Sequence, residues 1–253
     1  MSILNLITKT QPKAPRILIY GNPGIGKSTL AAQFPDPLFL LTEETGLSGI
    51  DSLPMSNSFG EFWGYVDQLL STPDLPYKTI VIDSVSRLDA LVVENVLKSE
   101  VATSSKKALS LTSACGGYGA GFDRAATIHR GLKSYLNQFQ ERGIAVVFVS
   151  HTAVKNHKSP DSDDYDIFTI VANHDKTRAV YIDDCDAVLF CKMKSVVSET
   201  DTGRHIVKSL EQRVVMTGVN PVNVSKNRYN MPSELPMKFE EIAKYIPFYN
   251  IKE

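Results

Sequence analysis

The chain has 253 residues, 43% of them hydrophobic and 22% charged, which is the balance of an ordinary globule with enough material for a full core. Its formal net charge of −1 excludes a bulk polybasic surface, so any nucleic acid must be met by local patches or by a groove between subunits. No apolar run nears the ~20 residues that span a bilayer, and the N-terminus MSILNLITKT lacks the basic region of a signal peptide. Cys115, Cys185 and Cys191 show no C-x-x-C spacing, which points to reduced thiols in a cytoplasmic protein.

The first element is an apolar run, Arg16-Ile17-Leu18-Ile19-Tyr20, that reads as a buried strand. Directly after it comes Gly21-Asn22-Pro23-Gly24-Ile25-Gly26-Lys27-Ser28-Thr29, a fit to G-x-x-x-x-G-K-[ST], and residues 28–34 then read as the first turns of a helix. A loop between a strand and a helix N-terminus gathers backbone N–H groups where the helix dipole favours negative charge. Glycines let the backbone approach phosphates, Lys27 reaches the β and γ oxygens, and Ser28 is placed to ligate Mg²⁺. The expected ligand is ATP with Mg²⁺.

A second apolar run follows, Pro37-Leu38-Phe39-Leu40-Leu41, trailed by Glu43 and Glu44 at the same sheet edge as the phosphate loop. Hydrolysis needs a group to orient or deprotonate water. Successive side chains of an extended chain alternate, so one of the two glutamates faces inward. Residues 59–70 carry apolar positions at helical spacing. Thr79-Ile80-Val81-Ile82 reads as a strand covered on both faces, with Asp83 at its C-terminal edge as a second Mg²⁺ carboxylate or the N-cap of the next helix. Stripes at Leu88–Val96 and Ala125–Phe139 read as helices, the second stopped by Gly143. Residues 144–149 form the most strand-like segment and end at His151, placed to contact a γ-phosphate or to be satisfied by backbone.

Beyond residue 151 the pattern changes. Two polar stretches, 155–166 and 174–178, precede short strands at 187–192, 205–208, 213–217 and 222–225. The acidic run at 161–166 lacks the Gly and distal Glu of an EF-hand and reads as a solvated loop. Lys226 and Arg228, one residue apart in an extended segment, point the same way and suit a shared phosphate. The fold class is α/β: a central, mostly parallel sheet flanked by helices, with antiparallel strands added toward the C-terminus in one domain over residues 1–253.

On GNPGIGKSTLA, LFLLTEETGL, VIDSVSRL, GGYGAGF, VVFVSHT and KNRYNMPSELP, the chain resembles RecA-like P-loop ATPases across about residues 14–240, and within them the phage-encoded, core-only recombinase type. The resemblance implies a catalytic glutamate just after the second strand, at Glu44. It implies that Lys226 and Arg228 serve as a finger into a neighbouring subunit's ATP, as in ring helicases, and hence a homo-oligomer. It further implies two DNA-facing loops, at about 103–123 with Lys106, Lys107 and Tyr118, and at about 152–178 with Lys155, Lys158, Lys176 and Arg178. Lysines there neutralise phosphates, and Tyr118 or Phe122 stacks on bases. The partners to expect are single-stranded DNA and a single-strand-binding protein, in the host cytoplasm.

Overall fold

Strand β1 (Arg16–Gly21) sits in the middle of the sheet, and its alternating side chains feed two separate cores. Ile17 and Ile19 point to one face, Leu18 and Tyr20 to the other. The computed structural model describes residues 5, 7–104, 110–159, 163–199, 205–218 and 220–250. In chain order the remaining strands are β2 (Pro37–Leu41), β3 (Asp51–Ser52), β4 (Thr79–Asp83), β5 (Ala145–His157), β6 (Tyr165–Ile170), β7 (Ala187–Glu199), β8 (His205–Met216), β9 (Lys226–Asn227) and β10 (Glu234–Pro236). The helices are α1 (Lys27–Ala31), α2 (Phe59–Ser71), α3 (Val85–Ser104), α4 (Ala120–Glu141), α5 (Asp175–Ile182) and α6 (Phe239–Ala243).

The strand order is β10-β8-β7-β1-β5-β4-β2-β3, with β7 through β3 mutually parallel. β8 and β9 pair antiparallel with β7, β10 with β8, and β6 with β5. The expected mostly parallel α/β sheet with antiparallel strands toward the C-terminus is therefore present. One core packs Leu18, Ile80, Val146 and Val188 against α2 to α5 through Phe62, Leu88, Leu132 and Tyr181. The other packs Ile17, Val81, Val147 and Leu189 against Leu30 of α1 and Ile242 of α6. Because β7, β1, β5, β4, β2 and β3 are mutually parallel, their C-terminal ends share one edge of the sheet, where ligands bind in such folds.

Local signals explain the boundaries. Ser58 caps α2 by accepting from the Glu61 backbone N–H at 3.2 Å, and Glu61 accepts from the Asn57 N–H at 2.7 Å. Gly143 ends α4 in the left-handed region (φ 74°), where its N–H reaches Gln140 O at 3.0 Å and Ile144 N–H reaches Phe139 O at 2.9 Å. Three expectations need correction. Much of the segment after residue 151 is paired strand: β5 runs six residues past His151 and pairs with β6 from Thr152↔Ile170 to His157↔Tyr165, with α5 following, while residues 160–162 of the acidic stretch lie outside the described residues. The β-branched and aromatic content of Tyr165–Ile170 supports that pairing, and the polar residues around it hide it. Residues 205–208 and 213–217 join into the single strand β8. Residues 222–225 are not a strand; the short β9 begins at Lys226.

A buried polar network ties the helical layer together. His129 of α4 is fully buried; its Nδ1 shares a hydrogen bond with Tyr181 OH (2.8 Å) and its Nε2 with Asp89 Oδ1 (3.1 Å). Asp89 Oδ2 accepts from both the backbone and the side-chain nitrogen of Asn173, at 2.6 and 2.8 Å. Each of these polar groups has its partner, as burial demands.

Candidate nucleotide site

The chain leaves β1 into the phosphate loop with Gly24 at φ 75° and Gly26 at φ 101°, conformations that side chains rarely adopt. Helix α1 starts there: Leu30 N–H donates to Gly26 O at 2.9 Å. Lys27 is buried against the loop, its Nζ donating to Asn22 O at 3.1 Å. Burial holds the Lys27 ammonium below its ordinary pKa, while Cys191, Asp83 and Glu43 oppose that shift.

Side-chain parity decides what else faces the loop. Leu41, Val81 and Val149 all pack in the core on the α1 side. In extended chain the residue two places on emerges on the same face. Those residues are Glu43, Asp83 and His151, and each lines one cavity of about 540 Å³ with Lys27 and Ser28. Asp83, at the end of β4, is buried and hydrogen-bonded to Ser28; burial raises its carboxyl above the ordinary value, and the Ser28 bond lowers it. A buried, poorly compensated carboxylate beside a hydroxyl suits a divalent cation, so Ser28 and Asp83 fit Mg²⁺.

Glu43 Oε1 accepts from His151 Nε2 at 2.9 Å. That bond chiefly, with help from Ser84 and Lys27, holds the Glu43 carboxyl below the usual glutamate range. The segment is registered by Thr42, whose N–H donates to Asp83 O at 2.9 Å and whose Oγ1 donates to Ser84 O at 2.8 Å. His151 is anchored through its backbone N–H to Ser86 Oγ at 2.9 Å, and Ser86 meets Ser150 at 3.0 Å. The other ring nitrogen, Nδ1, is buried without a partner among the described residues. The resemblance pointed to Glu44, yet its side chain is solvent-exposed at the cavity rim, and the glutamate turned into the site is Glu43.

Lys226 and Arg228 are not near this cavity. They lie at the opposite sheet edge, where β7 begins: Lys226 Nζ donates to Asp183 O, and Arg228 Nη1 meets Asp186 Oδ1 at 3.1 Å. Lys106 and Lys107 lie outside the described residues. Tyr118 is fully exposed between Gly117 and Gly119, just ahead of α4. Phe122 instead packs on His174, ring centroids 4.8 Å apart. Lys158 is exposed, whereas Lys155 is paired with Asp175, so aspartates of the expected second DNA loop neutralise part of its charge. Among the described residues no cluster of His, Cys, Asp and Glu has metal-binding geometry, and no helix is long and apolar enough to cross a membrane.

Sequence reasoning missed Arg213 of β8, which also lines the cavity. Its only signal is parity, two residues before Val215 of the α1-side core.

Comparison with known proteins fits this geometry. The family model described as "AAA domain" matches residues 13–229. No curated protein matches the chain. Among solved structures, the flagellar accessory protein FlaH of Methanocaldococcus jannaschii aligns at 12% identity over 81% of this chain and 85% of its own, with a TM-score of 0.38. With a family model spanning most of its length and a formed phosphate loop, the chain belongs to the AAA-domain family of P-loop ATPases.

Proposed function

We propose that this protein is a Mg²⁺-dependent ATPase that assembles as a homo-oligomer on single-stranded DNA in phage recombination or replication, binding or annealing strands. The observation that carries hydrolysis is the Glu43–His151 pair, a carboxylate kept ionised across one cavity from Lys27, Ser28 and Asp83. In this reading Lys27 and the loop N–H groups bind the β- and γ-phosphates, and Ser28 and Asp83 hold Mg²⁺. Bound there, the cation would neutralise phosphate charge. Glu43 takes the proton of the attacking water as its oxygen bonds to the γ-phosphorus and the bond to ADP breaks. His151 orients Glu43 and senses departure of the phosphate.

The DNA assignment is supported by Tyr118, a fully exposed aromatic on a glycine turn at the βα edge, with exposed Lys158 on the β5–β6 hairpin at the same edge. An aromatic in that setting stacks on any base. The trans finger is retained for Lys226 and Arg228, since both sit far from their own nucleotide. A head-to-tail interface could bring them to a neighbour's site. Mixed oligomers of Arg228→Ala with Lys27→Ala subunits should regain activity. The deciding assay is ATP hydrolysis with and without single-stranded DNA at two salt concentrations. Stimulation that fades steeply with salt supports the proposal. Salt-sensitive DNA binding with no turnover would replace it with a nucleotide-gated binding module.

A further inference from the structure

Strands β8 and β10, the antiparallel extension of the sheet, have no role in the reading above, yet one of their side chains reaches the phosphate loop. Arg213 pairs with Met193 of β7, two residues beyond the Cys191↔Val215 pair that stands level with Gly21. Val215 belongs to the α1-side core, so Arg213 emerges on the face that carries the loop. A register shift between Met193 and Ser195 begins at this pair, and such bulges re-aim neighbouring side chains. The backbone is pinned from the other side by Met237 N–H, which donates to Arg213 O at 3.2 Å.

The result is a guanidinium lying against Gly26. A Cβ on Gly26 would stand 2.9 Å from Arg213 Nη1 and 3.7 Å from Met237 Cε. Among the described residues Arg213 has no ion pair or hydrogen bond that would explain this position, and its side chain lines the same cavity as Lys27 and Ser28. Sheet order separates it from the hydrolytic groups. Glu43, Asp83 and His151 rise from β2, β4 and β5 on one flank of β1, whereas Arg213 comes from β8 on the other.

We infer that Arg213 binds the nucleotide in cis, as a second fixed cation beside Lys27, and contacts the α- and β-phosphates that ADP retains. This rests on the nucleotide-site reading above and adds a ligand contact from the antiparallel extension. Arginine suits the task because its planar fork meets two phosphate oxygens at once and never loses its charge.

Direct binding of fluorescent ADP and ATP with Mg²⁺, at fixed ionic strength, tests the inference. Arg213→Ala should weaken both nucleotides by about 10- to 100-fold, the scale of a charge-assisted hydrogen-bonded contact. The ADP and ATP losses should match. Arg213→Lys should recover only part, since it restores charge without the fork, and Lys78→Ala, the same charge change at the opposite sheet edge, should bind like wild type. Wild-type ADP affinity in Arg213→Ala, alongside its loss in Lys27→Ala, would overturn the inference and leave the nucleotide site standing. A loss confined to ATP would move the guanidinium to the terminal phosphate and equally overturn it. Wild-type ADP affinity in Lys27→Ala would remove the underlying site instead.

Discussion

Glu43→Gln separates nucleotide binding from hydrolysis at a single atom. The amide has the shape of the carboxylate and still offers an oxygen to His151 Nε2, 2.9 Å away in the native pair. The Thr42–Asp83 and Thr42–Ser84 hydrogen bonds that register the segment do not involve the side chain and persist. What disappears is the proton acceptor. Losing a positioned general base costs about 10²–10⁴-fold in rate, or roughly 2.7–5.4 kcal/mol at the barrier. Single-turnover hydrolysis should fall by that factor while fluorescent ATP binds as tightly as before. Glu44→Gln, at an exposed rim position, should stay within about a factor of 2. The acid side gives a second reading: His151 holds the Glu43 carboxyl below its ordinary 4.5, so kcat should persist as pH falls to that value and fail only beneath it. If Glu44→Gln abolishes turnover and Glu43→Gln does not, the parity argument is wrong.

Three further substitutions probe the site and its support. Burial raises the folded pKa of Asp83 above its ordinary 3.8, so the stability it contributes is full below that value and lost as pH rises through the folded one. Asp83→Asn should therefore melt higher than wild type at pH 7 without ligand, yet gain less from Mg²⁺ and ADP; a lower melting temperature contradicts this. Tyr118→Ala should weaken oligo-dT binding by about 1–3 kcal/mol with an unchanged melting temperature, and equal affinity would take Tyr118 off the DNA path. His129→Ala leaves a cavity and strands Tyr181 OH and Asp89 Oδ1, which should cost about 3–5 kcal/mol in urea unfolding. A loss under about 1 kcal/mol would mean that the network is not a stability element.

The phosphate loop and Asp83 were legible because each is a local pattern: a glycine loop or an apolar run with one polar residue at its end. Glu43 was not, since an isolated strand does not say which face meets the helix. That knowledge comes from the register Leu41↔Asp83 and from the company Leu41 keeps in the core. Glu44 is the natural choice from motif position, and a one-residue difference exchanges the faces. The β5–β6 hairpin was hidden because residues 154–157 of its outer arm are exposed and mostly polar, and among its described residues only Phe168 and Ile170 near its base pack in the core. Arg213 depends on a partner strand and a bulge, neither of which composition reveals.

The continuity of β5 has a mechanical consequence. Its first half is locked between β1 and β4, and its second half is one arm of a hairpin. At roughly 3.3 Å per residue, residues 152–157 carry that arm about 20 Å beyond His151. The other arm returns to the same point, where Val171 N–H donates to His151 O at 3.0 Å. A flexible loop would absorb a small movement at the phosphate in its own torsions. A paired ribbon has no such slack, and this one is tied at both ends. It is held to His151 at its root, and further out by Phe168 N–H donating to Val222 O (2.8 Å) and by Lys155 pairing with Asp175 (2.5 Å), so that the histidine and the start of α5 share one frame.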